Sequence, residues 1–343
     1  MNIRNLLIHI ILILAGAIES AIGLLQIYGL MDSNHGRYVV TGTFLNPGPY
    51  SGFLAMTLPV CLHCYLKKQG GMKYVAATVG AMILCVLPAG MSRTAWIAAA
   101  MGMLWAYGAH RKWPERVRLW AKQHRLKAMG CVLGVVGALL LGGWMLFILK
   151  PDSAKGRLFM WRIESRIVIE HPSGVGCGRF AKAYGEEQEK YFSQGEYEEW
   201  EVKVAGSPEY AFNEYLQLAI EHGVGALVAL FVVMGLCVWR AMRKGAHGMA
   251  GALVALALFA FASYPMEYAL FRAAALLIAV GCLAEEGWKG WMITIAGVIG
   301  AVYLYCRTKR RKRLKKHGSR QGCFIRQRLM KRQKRLTRAF IPN

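Results

Sequence analysis

The stretch LLIHIILILAGAIESAIGLLQIYGL, from Leu6 to Leu30, decides the fold class of this chain. A helix that crosses the hydrocarbon layer of a bilayer needs roughly 20 consecutive, mostly apolar residues, and this stretch supplies them. Similar runs recur along the sequence, and 55% of the 343 residues are hydrophobic. The candidate membrane spans are residues 6–30, 50–66, 73–89, 94–108, 128–149, 219–239, 248–265, 268–284 and 291–306.

These runs predict an all-α, polytopic transmembrane helical bundle of about eight to nine spans. Apolar and polar residues do not alternate with the period of a membrane strand, so the backbone polar groups in lipid must be satisfied within helices. We expect a single transmembrane domain over residues 1–306, which includes a large extracytoplasmic loop at about 150–208. A basic, disordered tail is expected at 307–343.

Charge sets the orientation of the predicted bundle, because cytoplasmic loops are rich in Lys and Arg. Loops 67–73, 109–127 and 240–244 carry such residues and share one side of the membrane if the N-terminus is cytoplasmic. The Glu-rich 150–208 loop then faces outward. A ninth span would place the tail outside, although its 16 Lys and Arg and its lack of Asp and Glu favour the cytoplasm. An incomplete last span, a miscounted earlier span or a tail on the outer side would each resolve this conflict.

The cysteines indicate neither a disulfide framework nor a metal centre. Only Cys177 of the nine lies in the polar loop, and the others lie in predicted spans or the tail. Cys61 and Cys64 form a CxxC pair inside an apolar run, where buried small hydrophobes are the expected role. We predict no metal and no cofactor. The tail is expected at the membrane surface rather than on a nucleic acid, because no nucleic-acid-binding fold accompanies it.

Two polar turns precede predicted spans. In TGTFLNPGPYSG, Thr41 to Gly52, Asn46 stands before a Pro-Gly-Pro sequence that breaks helix geometry. In GMSRTAW, Gly90 to Trp96, Arg93 occupies a very short turn between two apolar runs. A guanidinium fixed there is well placed to meet an anion at the membrane interface. A purely structural role for each turn is the alternative.

The polar loop opens with KGRLFMWRIESR, which predicts an amphipathic helix near the membrane surface. Arg157 and Trp161 are four residues apart and therefore share a helix face, and Arg162 follows directly. His171 and Pro172 predict the end of this helix, and a Gly-rich turn comes next at Gly174–Gly178. That turn lacks the strand–turn–helix context of a dinucleotide-binding motif, so a simple flexible turn is favoured.

The loop closes with SPEYAFNEYLQLAIEHG, which carries hydrogen-bonding groups toward the apolar run 219–239. Helical spacing places Asn213, Gln217 and Glu221 near one face and Glu214 on another. Polar groups that enter a span usually face a cavity or the bundle interior. A satisfied hydrogen-bond network at the helix end is the alternative.

The order of these motifs resembles that of the O-antigen ligase and O-antigen polymerase superfamily, from about Thr41 to Gly225. Each motif is short, and the resemblance depends on their order together with the predicted topology. The motifs are Thr-Phe-x-Asn-Pro at 43–47, Ser-Arg at 92–93, Gly-Arg-x-x-x-Trp at 156–161, His-Pro-x-Gly-x-Gly-x-Gly-x-Phe at 171–180 and Asn-Glu-Tyr-Leu at 213–216.

The resemblance implies a multi-pass glycosyltransferase of the bacterial inner (cytoplasmic) membrane. Such an enzyme transfers a glycan from a polyprenyl-diphosphate carrier to an acceptor on the outer face, where the acceptor is lipid A core, a polysaccharide or a protein. It also implies that Arg93 and Arg157 hold the diphosphate. Guanidinium groups suit this role, because they match phosphate geometry and stabilise the negative charge that develops on the leaving group.

The chain departs from the family pattern at Phe212, where the family commonly has a His that serves as base or orients the acceptor. Glu214, Glu209 and Tyr210 are the candidates to replace it, and Gly48 stands where the family often has a second Asn. The predicted catalytic residues are Arg93, Arg157 and Glu214. The predicted substrate-binding residues are Asn46, Trp161, Arg162, Asn213 and Gln217.

Two other functions remain open at this point. A protein of the same fold that binds carrier lipid or polysaccharide without catalysis would explain the missing His. A transporter is a further alternative, although the sequence shows few charges in mid-span and no inverted repeat.

Overall fold

The computed structural model describes residues 3–67, 70–131, 133–134, 137, 151–283 and 292. Within these residues the regular structure is helical, as predicted, and contains no strand. The first five helices are α1 (Ile3–Ile27), α2 (Pro47–Lys67), α3 (Gly71–Val86), α4 (Arg93–His110) and α5 (Trp113–Gln123). Further helices are α6 (Pro151–Glu170), α7 (Phe180–Ser193), α8 (Glu199–Val204), α9 (Glu214–His222), α10 (Val224–Arg243), α11 (His247–Ala260) and α12 (Ala269–Leu283), with a 3-10 turn (Pro265–Glu267) before α12.

Three helices, α2, α4 and α11, form the centre of the bundle. They pack most extensively on one another, while α1 and α3 lie against α2, and α12 contacts α1 and α11. Most of α2 is buried, from Pro47 to Cys64. This burial explains why α2 is apolar over nearly its whole length rather than along one stripe.

Glycines set the close approach of these central helices. A Cβ added at Gly52 would lie 2.3 Å from the Phe259 ring near the start of α2 and the end of α11. A Cβ at Gly102, near the middle of α4, would lie 2.7 Å from the backbone oxygen of Gly251 in the first half of α11. Small residues at such crossings let helix backbones approach closely and gain van der Waals contact.

Gly251→Val is expected to destabilise the bundle by about 1–3 kcal/mol, because an added Cβ meets backbone and a proline ring. The Cβ at this position would lie 2.5 Å from the Gly102 backbone oxygen and 2.8 Å from the Cβ of Pro59. Thermal unfolding in detergent measures the effect. Gly235→Val is the matched control, since a Cβ there meets nothing within 4 Å. Equal unfolding temperatures for the two variants would contradict this account of the packing.

Two described helices are long and apolar enough to cross a bilayer, Arg4–Ile27 and Val224–Arg243. The helices at Gly71–Val86, His247–Ala260 and Ala269–Leu283 are apolar but shorter. The predicted count of eight to nine spans is therefore not confirmed. Most of the predicted span 128–149, the span 291–306 and the tail 307–343 lie outside the described residues.

The predicted run 219–239 is not one helix, and this prediction was wrong. Helix α9 ends at His222, and α10 begins at Val224. Gly223 between them has a φ of 85°, which belongs to the left-handed region that glycine tolerates and that ends a helix. The polar groups of α9 therefore lie on a separate short helix.

The break at Gly223 is fixed by the Gly-rich turn after α6. A Cβ at Gly174 would lie 2.6 Å from the backbone nitrogen of Gly223, and Gly174 has a φ of 88°. The backbone nitrogens of Val175 and Val224 donate to the oxygens of Ile220 (2.8 Å) and Pro172 (2.9 Å). The turn predicted to be merely flexible thus docks on the end of α9.

Helices α6 to α9 form a second packed unit, called here the α6–α9 segment (residues 151–222). The helix expected around Arg157 is confirmed; it extends over Pro151–Glu170 and ends directly before His171 and Pro172, as predicted. Its apolar face contributes to a core separate from that of the bundle. This core contains Phe159, Ile163, Ile167, Phe180, Tyr184, Tyr191, Ala211 and Ile220.

A carboxyl group is buried in this second core. Glu164 on α6 is fully buried, and neither carboxyl oxygen has a hydrogen-bond partner among the described residues. Burial raises the pKa of Glu164 from near 4.5 to about 9. The protonated, neutral form is therefore the folded form at neutral pH.

Stability of the α6–α9 segment is expected to fall as pH rises from about 4.5 to about 9. In that window the folded protein keeps the Glu164 proton and the unfolded chain loses it, with a slope of up to about 1.4 kcal/mol per pH unit. Glu164→Gln removes this contribution to the pH dependence of stability. The unfolding temperature of the variant is therefore expected to exceed that of the wild type by an amount that grows with pH. Exposed Glu186→Gln is the control and parallels the wild type. A Glu164→Gln advantage that stays constant with pH would contradict the burial of an ionisable group.

Candidate functional site

The candidate site lies at one end of the bundle, called here the arginine end, where α2 and α4 begin and α11 ends. A Cβ at Gly90 would meet the Ser51 hydroxyl at 1.9 Å, which brings the turn before α4 onto the first residues of α2. The α6–α9 segment reaches the same end, because the Trp161 ring lies 5.3 Å from the ring of Phe261, just after α11. Residues far apart in sequence therefore share one region.

Arg93 and Arg157 are brought within electrostatic reach of each other. Arg93 is the first residue of α4, and the side chain of the preceding Ser92 caps this helix by accepting from the Ala95 nitrogen at 3.4 Å. Arg157 is partly buried on α6. Burial lowers the pKa of Arg157, and the nearby charge of Arg93 lowers it further. Two like charges held together in a partly desolvated place are unfavourable unless an anion lies between them.

Two further features of this pair suit an anion. Among the described residues, Arg157 forms no ion pair with a carboxylate. Arg93 stands at the N-terminus of the 18-residue helix α4, the end at which the helix dipole favours negative charge. The arrangement is chemically fit to hold a doubly charged group such as a diphosphate.

Trp161 stands one helical turn beyond Arg157 on the same face of α6. Its ring packs against Phe261, and its indole Nε1 is buried without a hydrogen-bond partner among the described residues. A buried N–H normally has a partner, so this donor remains available to a bound molecule. The substrate contact predicted for Trp161 stays a prediction.

Glu214 opens helix α9 and contacts the 3-10 turn after α11. Its Oε2 accepts from the Met266 nitrogen at 3.1 Å. Burial raises the pKa of Glu214 to about 7; the hydrogen bond from Met266 opposes this effect, and the nearby charge of Glu267 adds to it. A carboxylate with such a pKa is close to half ionised at neutral pH, which suits a general base.

Asn213 and Gln217 are engaged with the protein itself. Asn213 caps α9, with its Oδ1 accepting from the nitrogens of Tyr215 (3.0 Å) and Leu216 (3.2 Å). Gln217 accepts from the Ala211 nitrogen at 3.2 Å and donates to the Glu267 carboxylate at 3.2 Å. These bonds match the alternative of a satisfied helix-end network, and the predicted substrate contacts stay predictions.

Asn46 lies at the arginine end beside a group of aromatic side chains. Its Oδ1 accepts from the Gly48 nitrogen at 3.0 Å, and its Nδ2 lies 3.5 Å from the hydroxyl of Tyr264. Tyr264 stacks on Tyr210 with ring centroids 5.0 Å apart, and the Phe212 ring meets it edge-on at 4.9 Å. Phe212, where the resemblance implies a His, therefore packs against an aromatic neighbour here.

Arg162 follows Trp161 on α6, but its side chain contacts α7 and α8 rather than the end of α11. Its guanidinium forms an ion pair with the buried Glu201 and donates to the Tyr191 hydroxyl at 3.2 Å. Glu201 also accepts from Tyr191 at 2.8 Å. This network ties α6 to α7 and α8, and it gives Arg162 a structural function alongside its predicted role in substrate binding.

Sequence reasoning missed Glu267, Tyr264 and Arg272. Tyr264 directly precedes the 3-10 turn between α11 and α12, Glu267 ends the turn, and Arg272 lies in the first turn of α12. The polar letters SYPMEY between the apolar runs of these two helices, residues 263–268, were the only signal. Arg272 holds the turn in place, because its Nη1 donates to the Met266 oxygen at 2.7 Å.

The fold and the site together define an all-helical protein with two neighbouring arginines at one end of a bundle. Residues 77–231 match the family model described as O-antigen ligase, which confirms the family resemblance over that region. Proteins of this family are membrane proteins. The matched region contains Arg93, Arg157 and Glu214. No curated protein and no solved structure matches the chain.

Proposed function

We propose that this protein is a membrane glycosyltransferase of the O-antigen ligase type. It transfers a glycan from a polyprenyl-diphosphate carrier to an acceptor on the outer face of the bacterial inner membrane. The neighbouring guanidinium groups of Arg93 and Arg157 carry this proposal, because a diphosphate is the anion that such a pair fits. The family match over residues 77–231 supports the same reaction class.

The reaction forms one bond and breaks one. An acceptor hydroxyl oxygen attacks the anomeric carbon of the first sugar, and the bond from that carbon to the diphosphate oxygen breaks. The electron pair leaves on the diphosphate, where Arg93 and Arg157 stabilise the growing charge. The hydroxyl proton passes to the carboxylate of Glu214. The products are the glycosylated acceptor and the free polyprenyl diphosphate.

The arrangement of helices suits a lipid-linked donor. The arginine end faces outward in the orientation that the basic loops favour. The polyprenyl chain then stays in the bilayer beside the bundle, and the α6–α9 segment covers the diphosphate from the outer side. In this proposal Trp161 and Asn46 contact the diphosphate or the first sugar, and their position at the arginine end supports it.

A second function keeps the same binding step without turnover. Phe212 in place of the family His favours a protein that holds the carrier lipid or a polysaccharide without transferring it. Glu214 favours the enzyme over the binding protein. It offers a base two residues after Phe212, the position at which the family pattern has His.

Transfer in proteoliposomes tests the proposal. Purified protein receives a donor glycan labelled on the sugar and linked to polyprenyl diphosphate, together with lipid A core, polysaccharide or protein acceptors in separate reactions. Label on one acceptor with release of polyprenyl diphosphate is the expected result. Saturable donor binding without labelled product from any of these acceptors would favour the binding protein and contradict the enzyme.

A further inference from the structure

We propose that Glu267 is a positioning residue that holds Glu214 in the orientation and protonation state needed to accept the acceptor's proton. This inference depends on the transferase proposed above. Neither the family motifs nor the sequence pattern assigns a role to Glu267, which lies outside the matched region 77–231.

The geometry begins with the 3-10 turn Pro265–Glu267, which lies against the first turn of α9. The Met266 nitrogen donates to Glu214 Oε2 at 3.1 Å, which fixes one oxygen of the base. The next residue, Glu267, accepts at Oε1 from Gln217 Nε2 at 3.2 Å. Glu214 and Gln217 are both on α9, so the turn grips this helix at two neighbouring points.

The charges around Glu214 come from three elements. Glu267 on the 3-10 turn and Glu221 on α9 disfavour ionisation of Glu214, while Arg272 on α12 favours it. Tyr215, the next residue on α9, donates its hydroxyl proton to the Ala257 oxygen at 2.8 Å and so points away toward α11. Of the like charges, Glu267 has the larger effect, and its effect is opposite in sign to that of Arg272.

This balance matters for catalysis, because a base whose conjugate acid is too strong accepts protons poorly, whereas one that is always protonated cannot accept them. A neighbouring carboxylate keeps Glu214 between these limits. The charge of Arg272 lowers the pKa of Glu214, and its Nη1 also donates to the Met266 oxygen of the turn at 2.7 Å. Glu267 thus acts on the reaction through Glu214 without contacting the reacting atoms.

The test is a pH titration of the Glu214 carboxyl group in substrate-free protein. Infrared carboxyl bands monitor the titration, and the band that is lost in Glu214→Gln identifies Glu214. Glu267→Gln retains an oxygen that accepts from Gln217 but removes the charge. The Glu214 band is expected to titrate at lower pH than in the wild type. We expect the ionised fraction of Glu214 at pH 6 to be roughly two- to threefold higher in Glu267→Gln than in the wild type. The acid limb of the pH–rate profile moves in the same direction.

Two further variants make the outcome decisive. Glu267→Asp keeps the charge and is expected to restore the wild-type titration, whereas Glu186→Gln, an exposed change of the same type, leaves it unaltered. An unchanged Glu214 titration in Glu267→Gln, with the chain folded, would overturn the inference. The infrared measurement needs no turnover, so it reports on Glu267 even if the proteoliposomes show no transfer, a result that would count against the transferase itself.

Discussion

Arg157→Ala is expected to lower the rate of glycan transfer at least about a hundredfold, because it removes a donor that stabilises charge developing on the leaving diphosphate. Arg157 is partly buried next to Arg93, so its interaction with an anion is weakly screened by water. Arg93→Ala is expected to have an effect of similar size. The measurement is initial transfer rate in proteoliposomes at saturating donor.

The shape of the Arg157 side chain is expected to contribute to the rate of transfer as well as its charge. Arg157→Lys keeps the cation but loses the planar fork that binds two phosphate oxygens at once, so we expect partial activity between wild type and Arg157→Ala. Arg179→Ala is the matched control, because Arg179 is an exposed arginine of the same segment. Transfer at the wild-type rate by both Arg93→Ala and Arg157→Ala would contradict the role given to the pair.

Glu214→Gln is expected to lower transfer by about 10²- to 10⁴-fold at pH 8, since it removes the proposed general base and keeps the side-chain shape. The wild-type rate should fall as pH drops through about 7, because burial raises the pKa of Glu214 to that value and only the ionised form accepts a proton. The residual rate of Glu214→Gln is expected to show no such fall as the pH drops. A pH–rate profile of both proteins measures this.

Glu209→Gln separates the two nearby acids that the sequence offered as bases. Glu209 is exposed, whereas Glu214 is held by the Met266 nitrogen and partly buried. We therefore expect Glu209→Gln to transfer at close to the wild-type rate. A large loss in Glu209→Gln with a normal Glu214→Gln would reverse the assignment of the base.

Local features of the fold were predictable from the sequence. The apolar runs indicated the helices, and His171 and Pro172 indicated the end of α6, because a helix rarely continues into the residue before a proline. The break at Gly223 was not predicted, since an isolated glycine inside an apolar pattern is often tolerated within a helix. Gly223 lies directly against the backbone of Gly174, a contact between distant segments that leaves no room for a side chain.

The candidate site was predictable only in part. Arg93 and Arg157 were paired through the family motifs and not through their spacing, and the structure places them near each other. Glu267 was missed because its turn contacts residues that are distant in sequence. The backbone nitrogen of the adjacent Met266, for example, donates to Glu214, 52 positions away. Asn46 and Tyr264 lie 218 positions apart. No helical period connects residues at such separations.

The central claim is that Arg93 and Arg157 hold a diphosphate at the arginine end. Equilibrium binding of polyprenyl diphosphate to the protein in nanodiscs tests it most directly, with polyprenyl monophosphate as the comparison ligand. We predict that the wild type prefers the diphosphate, that Arg93→Ala and Arg157→Ala lose this preference, and that Arg179→Ala keeps it. Equal binding of the two lipids by the wild type, or an unchanged preference in both arginine variants, would contradict the claim.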